Sequence, residues 1–314
     1  MNALLKAGFN VSAVTRSTST STFPDAVRVI KGEYSPSFLE SAFKGIDAVV
    51  LAVGAGGLAE QKTLIDAAAK AGVKRLMPSE FGSDTANPVA VAAVPFYQSK
   101  VDIINYLKTI TPTHPNLSWT AIITGPFFDW VSPPPFLTSL FDHSLTPHHP
   151  QHHTKPPSPQ CLKLGFLGFN HSTHRATLYD QGNGKFSATT LLTIGAAVAA
   201  VLSHPEQYGN EYLYISSFTT SQAEILAALK KASGGAEWTV EEKFAAAYIE
   251  GGREKAARGE IMGTYDLIFG TTFHGGYGGD FASIRKISNR ELGLEEETLE
   301  KVTKEVYEAA TAKH

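Results

Sequence analysis

The strongest constraint on this chain is the alternation of short β-rich runs with helical ones between residues 10 and 79. Asn10 to Arg16, Val27 to Ile30, Asp47 to Val53 and Val73 to Met77 read as strands, with helices from Ser37 to Lys44 and from Ala59 to Ala71. Strands that are apolar on both faces and separated by helices call for a parallel sheet with a helical layer on each side. The first half is therefore α/β. Open sheets of this kind bind ligands outside the carboxyl ends of their strands, which directs attention to Arg16, Gly54 and Ser79. Upstream, Leu4 to Gly8 read as the last turn of a helix closed by a glycine. A dinucleotide-binding βαβ unit would begin with a strand and a glycine-rich turn before that helix. The chain starts too late to hold them, and Gly54 to Gly57 follow a later strand, so the sheet is expected to lack its first strand.

Composition narrows the function classes. Of the 314 residues, 43% are hydrophobic and 18% charged, enough for one large core or two modest ones. The 27 Lys and Arg against 30 Asp and Glu leave no basic footprint for nucleic acid and no polybasic membrane patch. A small molecule is the expected partner, bound by a monomer or homodimer. The lone Cys161 rules out an internal disulfide and fits a reducing compartment, with the cytoplasm as the expected address. Met1 to Gly8 do not form a signal peptide, and the longest apolar stretch, Leu191 to Leu202, falls short of the ~20 residues a membrane-spanning helix needs.

Residues 131–160 stand apart: they hold eight of the 17 prolines, five of the 11 histidines and two charged residues, with no apolar period. They read as a disordered insertion. His148, His149, His152 and His153 lack a rigid scaffold and acidic partners, so no metal is expected. The domain reading is a nucleotide-binding unit over 1–130, the insertion, and a mainly substrate-covering α+β unit over 161–314 that returns some segments to the first sheet. In that last unit, Ala176 to Asp180 and Lys185 to Ser187 flank a Gly-Asn-Gly turn and predict a hairpin. Helices are expected at 190–202, at 221–232 behind a Thr219 or Thr220 cap, at 243–258 and at 295–311, with strands at 211–216 and 237–241. Phe273 to Phe281 read as a glycine-rich loop over a pocket.

Two positions carry the chemistry. Where an NAD site places an acidic residue against the ribose hydroxyls, a cation receives a 2′-phosphate instead, so Arg16 at a strand end implies NADP. Lys100 lies in the first turns of a helix opened by Pro95, three residues from Tyr97 rather than the four of the classical Tyr-Lys pair, so a tyrosine-dependent mechanism is not expected. A lysine can serve alone as acid or base where burial lowers its pKa toward the working pH. Phe127, Phe128 and Trp130 suit either an apolar substrate pocket or the core.

The segments Val14 to Arg16, Leu58 to Asp66, Gly72 to Asp84 and Tyr97 to Lys100, with Gly125 to Asp129, Phe186 to Thr190 and Ser216 to Thr220, resemble the isoflavone reductase-like branch of the NmrA-like family, apparently of fungal type. The most specific piece is Pro78-Ser79-Glu80-Phe81-Gly82 followed by the helix lysine. The resemblance implies an atypical short-chain reductase with a Rossmann-like doubly wound sheet, NADPH as hydride donor and Lys100 as acid/base. It also implies cofactor contacts from Arg16, the Gly54 loop and Gln61, from Ser79, Glu80 and Phe81 beside the nicotinamide, and from Pro126 and Phe127; Phe128 and Trp130 are read as lining the substrate pocket on their aromatic character alone. The family's Gly-x-x-Gly-x-x-Gly loop has no counterpart here, and residues 131–160 interrupt segments that adjoin in the resembling proteins. Val131-Ser132 can be encoded by a splice donor and Gln160 by a splice acceptor, so the insertion reads as a retained intron. The expected function is an NADPH-dependent reductase of a small aromatic or enone-like substrate. A redox-sensing dinucleotide binder without turnover and an inactive truncated product are the alternatives.

Overall fold

The computed structural model describes residues 1–129 and 166–311. The proline- and histidine-rich stretch, Trp130 and Cys161 lie outside the described residues. The chain opens with α1 (Asn2–Lys6), closed by a Schellman turn in which Gly8 N–H donates to Leu5 O and Phe9 N–H to Leu4 O, both at 3.0 Å. Gly8 stands at φ +84°, which glycine tolerates because it has no Cβ. There follow β1 (Ser12–Thr15), β2 (Arg28–Lys31), α2 (Pro36–Phe43), β3 (Ala48–Val50), α3 (Gln61–Lys70), β4 (Arg75–Met77), α4 (Pro88–Ala93), α5 (Gln98–Ile110) and β5 (Ser118–Ile123). Beyond the undescribed stretch come β6 (Phe169–Asn170), β7 (Arg175–Tyr179), β8 (Lys185–Ala188), α6 (Leu191–Ser203), β9 (Glu211–Tyr214), β10 (Phe218–Ser221), α7 (Gln222–Ala232), β11 (Thr239–Lys243), α8 (Ala245–Ala257), α9 (Ile261–Phe273) and α10 (Leu299–Thr311).

The first half forms two parallel sheets, β1-β2 and β3-β4-β5-β9, with no ladder joining β1 to β3 among the described residues. In a doubly wound sheet the strand that opens the fold stands between those two, and no such strand lies between them among the described residues. Side-chain alternation shows why helices must cover both faces. Leu76 faces Leu39, Ile65, Ile104 and Leu107, whereas its neighbour Met77 faces Ile194, Ala197 and Val201 of α6 on the other side. Both are fully buried, as a parallel sheet between two helical layers requires. β9, from the second half of the chain, pairs in parallel with β5 and extends this sheet.

The second lobe combines β11-β7-β6 and β10-β8 with α7 and α10 around Phe128, Phe169, Tyr179, Phe186 and Phe273. Here the structure corrects three expectations. β7 and β8 form no hairpin: β7 pairs with β11 and β6, and β8 with β10. The residues between them make a 3-10 turn with Asp180 and Gln181 at φ +49° and +62°, unlike the two-residue turns that keep a hairpin in register. The cap of α7 is Ser221 rather than Thr219 or Thr220. Its hydroxyl accepts from Glu224 N–H while the Glu224 carboxylate accepts from Ser221 N–H, a complete capping box. Residues 261–273 form α9 where no helix was expected. Its glycines and threonines have low helix propensity, and burial on several sides leaves no amphipathic stripe to read. Those glycines serve packing instead, since a Cβ at Gly263 would stand 2.2 Å from Ala256 N on α8.

Candidate active site

The carboxyl ends of β3, β4 and β5 are tied together by short polar contacts. Gln61, 1% exposed at the start of α3, accepts from Ser79 N–H through Oε1 at 2.8 Å, and Ser79 Oγ donates to Val53 O at 2.8 Å. The loops after β3 and β4 are thus one unit. The next turn is held to β5, because Thr124 N–H and Gly125 N–H both donate to Gly82 O, at 3.1 and 2.9 Å. Between these anchors Phe81 takes φ +20°, a conformation that a bulky side chain rarely adopts and that a surrounding network must impose.

This turn holds Lys100. From the first turn of α5 its Nζ donates to Glu80 O, and an added Cβ at Gly82 would come within 3.7 Å of it. Burial of the amine pushes the Lys100 pKa down from the ordinary lysine range, against the opposing pull of the Glu80 charge. Glu80 itself is 1% exposed and accepts from Thr85 Oγ1 at 2.7 Å. Burial raises its pKa, while Lys100 and Thr85 act in the other direction. Tyr97 lies under the same turn, with its hydroxyl 2.6 Å from Ser83 Oγ and its pKa pushed up to about 12 by burial.

Asp84 completes the stretch from β4. Its Oδ1 accepts from Tyr214 OH at 3.0 Å and its Oδ2 from Arg285 Nε at 2.9 Å. The loop is thereby pinned to β9 and to the segment after α9. A narrow cavity opens beside Asp84, with Ser83 and Tyr97 on one side, Gly125 and Pro126 at the end of β5, and Tyr277 and Phe281 opposite. The glycine-rich loop therefore does line a pocket. A larger hollow of about 620 Å³ lies along β9 between Tyr208, Tyr212, Lys286 and Glu291, away from the sequence-selected residues.

The other sequence-selected residues divide into two groups. Arg16 follows β1, with its guanidinium 2.5 Å from Glu60 Oε2 and 5.2 Å from the centre of the Tyr34 ring. Gly54 caps the 3-10 turn after β3. Pro126 and Phe127 follow β5, and Phe127 bridges to Thr189. Phe128 is 7% exposed, edge-on to Phe218 at 4.7 Å, in the core of the second lobe. This is the placement its core reading expects. Trp130 lies outside the described residues. Asp84, Thr85, Ser83 and Arg285 were not selected from sequence. The run from Ser79 to Asp84 carried a signal, two carboxylates beside an apolar strand, whereas nothing near Arg285 marked it.

The model of the NmrA-like family matches residues 1–249. The chain belongs to the NmrA-like family. Within it, the chain is 36% identical over 289 residues to the oxidoreductase aprR of Aspergillus flavus, an alignment spanning 91% of this chain and 86% of that one. The crystal structure of isoflavone reductase superposes with a TM-score of 0.60 at 19% identity over 96% of this chain and 93% of its own. AtPrR2 with NADP+ and (+)pinoresinol superposes with a TM-score of 0.65 at 17% identity, over 97% of this chain and 93% of its own. These likenesses show the Rossmann-like reductase fold. This chain thus carries a Rossmann-like fold within the NmrA-like family. Among the described residues, no helix is long and apolar enough to cross a membrane.

Proposed function

We propose that this NmrA-like chain is an NADPH-dependent reductase of small aromatic or enone-like molecules, with Lys100 as the acid/base. The observation that carries the reading is the half-buried Lys100 amine, held by Glu80 O at the carboxyl end of the parallel sheet. A lysine so placed exchanges a proton more readily near neutral pH than one in solvent. A bound dinucleotide would be held by Arg16 at its 2′-phosphate, by the Gly54 loop and Gln61, by Ser79, Glu80 and Phe81 near the nicotinamide, and by Pro126 and Phe127. Bound NADPH supplies the hydride, and the chain's own groups orient the acceptor and deliver a proton to the oxygen that becomes negative.

The cavity beside Asp84, about 20 Å³, has room for little more than a water, so an aromatic substrate would have to widen it. Pro126, Tyr277 and Phe281 offer apolar faces, and Ser83 and Tyr97 offer hydroxyls. An NADP+-bound neighbour of the same fold and a relative named as an oxidoreductase support the same reading. The test is NADPH oxidation across a panel of aryl enones and quinones, using NADPH deuterated at nicotinamide C4. Deuterium in the product carbon is the expected result. NADPH binding without turnover of any panel member would favour a dinucleotide-sensing role instead.

A further inference from the structure

We propose that the Glu80 carboxyl is a positioning residue for Lys100, setting the charge of the lysine through space while the Glu80 backbone holds its amine. This rests on the reading of Lys100 as the acid/base. The two ends of one residue do different work. Glu80 O anchors Nζ, and the strained φ of Phe81 fixes the peptide that follows. The Glu80 side chain leaves in another direction, into a space where it is 1% exposed and bonded to Thr85 Oγ1 at 2.7 Å. No ion pair within 4.0 Å joins this carboxyl to Lys100 among the described residues, so its action on the amine is electrostatic.

The surroundings leave few other charges to act on Lys100. Asp84, in the same stretch, is committed to Arg285 and to Tyr214 of β9. Tyr97, at the start of α5, is bonded to Ser83 and stays protonated. Tyr212 of β9 has its pKa pushed up to about 12, chiefly by burial and next by the Glu80 charge, and remains neutral. Among the described residues of this turn, Glu80 is therefore the carboxylate without a cation of its own. Charged, it stabilises the ammonium. Protonated, it releases the amine to the full effect of burial. Thr85 favours the charged form of Glu80 by donating to it.

The test follows Lys100 itself. In the free protein, the pH dependence of acylation of Lys100 by a small anhydride, read by mass spectrometry, reports its titration without cofactor or substrate. Glu80→Gln removes the charge and keeps the shape, and is expected to move the midpoint down by about one pH unit. Thr85→Val, which leaves Glu80 in place, is expected to shift it the same way by less, and serves if the first variant does not fold. Glu80→Asp should restore most of the wild-type midpoint. In turnover, Glu80→Gln is expected to displace the kcat–pH profile and Glu80→Asp to return it toward that of the wild type. A midpoint unchanged in both Glu80→Gln and Thr85→Val would overturn the proposal. Full turnover by Lys100→Met would instead defeat the acid/base reading, while the acylation midpoints still report the coupling.

Discussion

The Arg16–Glu60 contact makes the cofactor reading quantitative. Arg16 Nη2 lies 2.5 Å from Glu60 Oε2, with the two side chains 30% and 33% exposed. A 2′-phosphate arriving at Arg16 must therefore displace or share it with a carboxylate of this chain. Pairs this exposed are worth about 0.2–1 kcal/mol because water screens them. Glu60→Gln is accordingly expected to tighten NADPH binding by about 1.5- to 5-fold. NADH lacks the 2′-phosphate, and its affinity should not change. Arg16→Ala removes charge-assisted hydrogen bonds worth about 1.5–3 kcal/mol, so NADPH should weaken by about 10- to 150-fold with NADH nearly unaffected. Nicotinamide fluorescence titration of both cofactors against wild type and the two variants, at low and high salt, measures these affinities. The Glu60→Gln gain should shrink at high salt. Equal changes for NADPH and NADH, or an NADPH affinity indifferent to Arg16→Ala, would refute the assignment of Arg16 to the phosphate.

Three further predictions concern the frame of the site. Arg285→Ala leaves the fully buried Asp84 carboxylate without its cation and should cost about 3 kcal/mol in urea unfolding. Adding Asp84→Asn to that variant should recover part of the loss, and a loss equal to or larger than the sum of the single changes would contradict this. Gly263→Ala drives a methyl toward Ala256 N at 2.2 Å and should cost about 1–3 kcal/mol as α8 and α9 separate, checked by thermal melting. His171 has its pKa lowered to about 4, first by burial and then by His174. The unfolded state thus binds the extra proton, and stability should fall as pH drops from the ordinary histidine value near 6.5 toward 4. His171→Phe should flatten that slope in urea titrations at stepped pH, and an unchanged slope would count against the shift.

β4 was legible because a strand buried on both faces spells itself out as an apolar run, whereas β1 and β2 were read from β-rich composition and are only partly buried, and the strand ends at Arg16, Gly54 and Ser79 mark the ligand side of any such sheet. The second half was less so. β7 and β8 carry strand composition, yet their partners are set by contacts distant in sequence, so a local Gly-Asn-Gly cue pointed to the wrong pairing. α9 was hidden because a helix buried on several sides shows no period. At the site, Lys100 and Gln61 were reached through family resemblance. The Asp84–Arg285 pair spans 201 residues of chain, and no local pattern announces such a contact.

The central claim is that Lys100 carries the proton chemistry of an NADPH-dependent reduction, and Lys100→Met tests it most directly. NADPH affinity and single-turnover hydride transfer should be measured side by side on wild type and variant, with an aryl enone that the wild type reduces. In Lys100→Met, NADPH affinity is expected to stay within about twofold while the rate falls by about 10²- to 10⁴-fold, the range of general acid–base catalysis. A variant that binds NADPH and transfers hydride at the wild-type rate would contradict it.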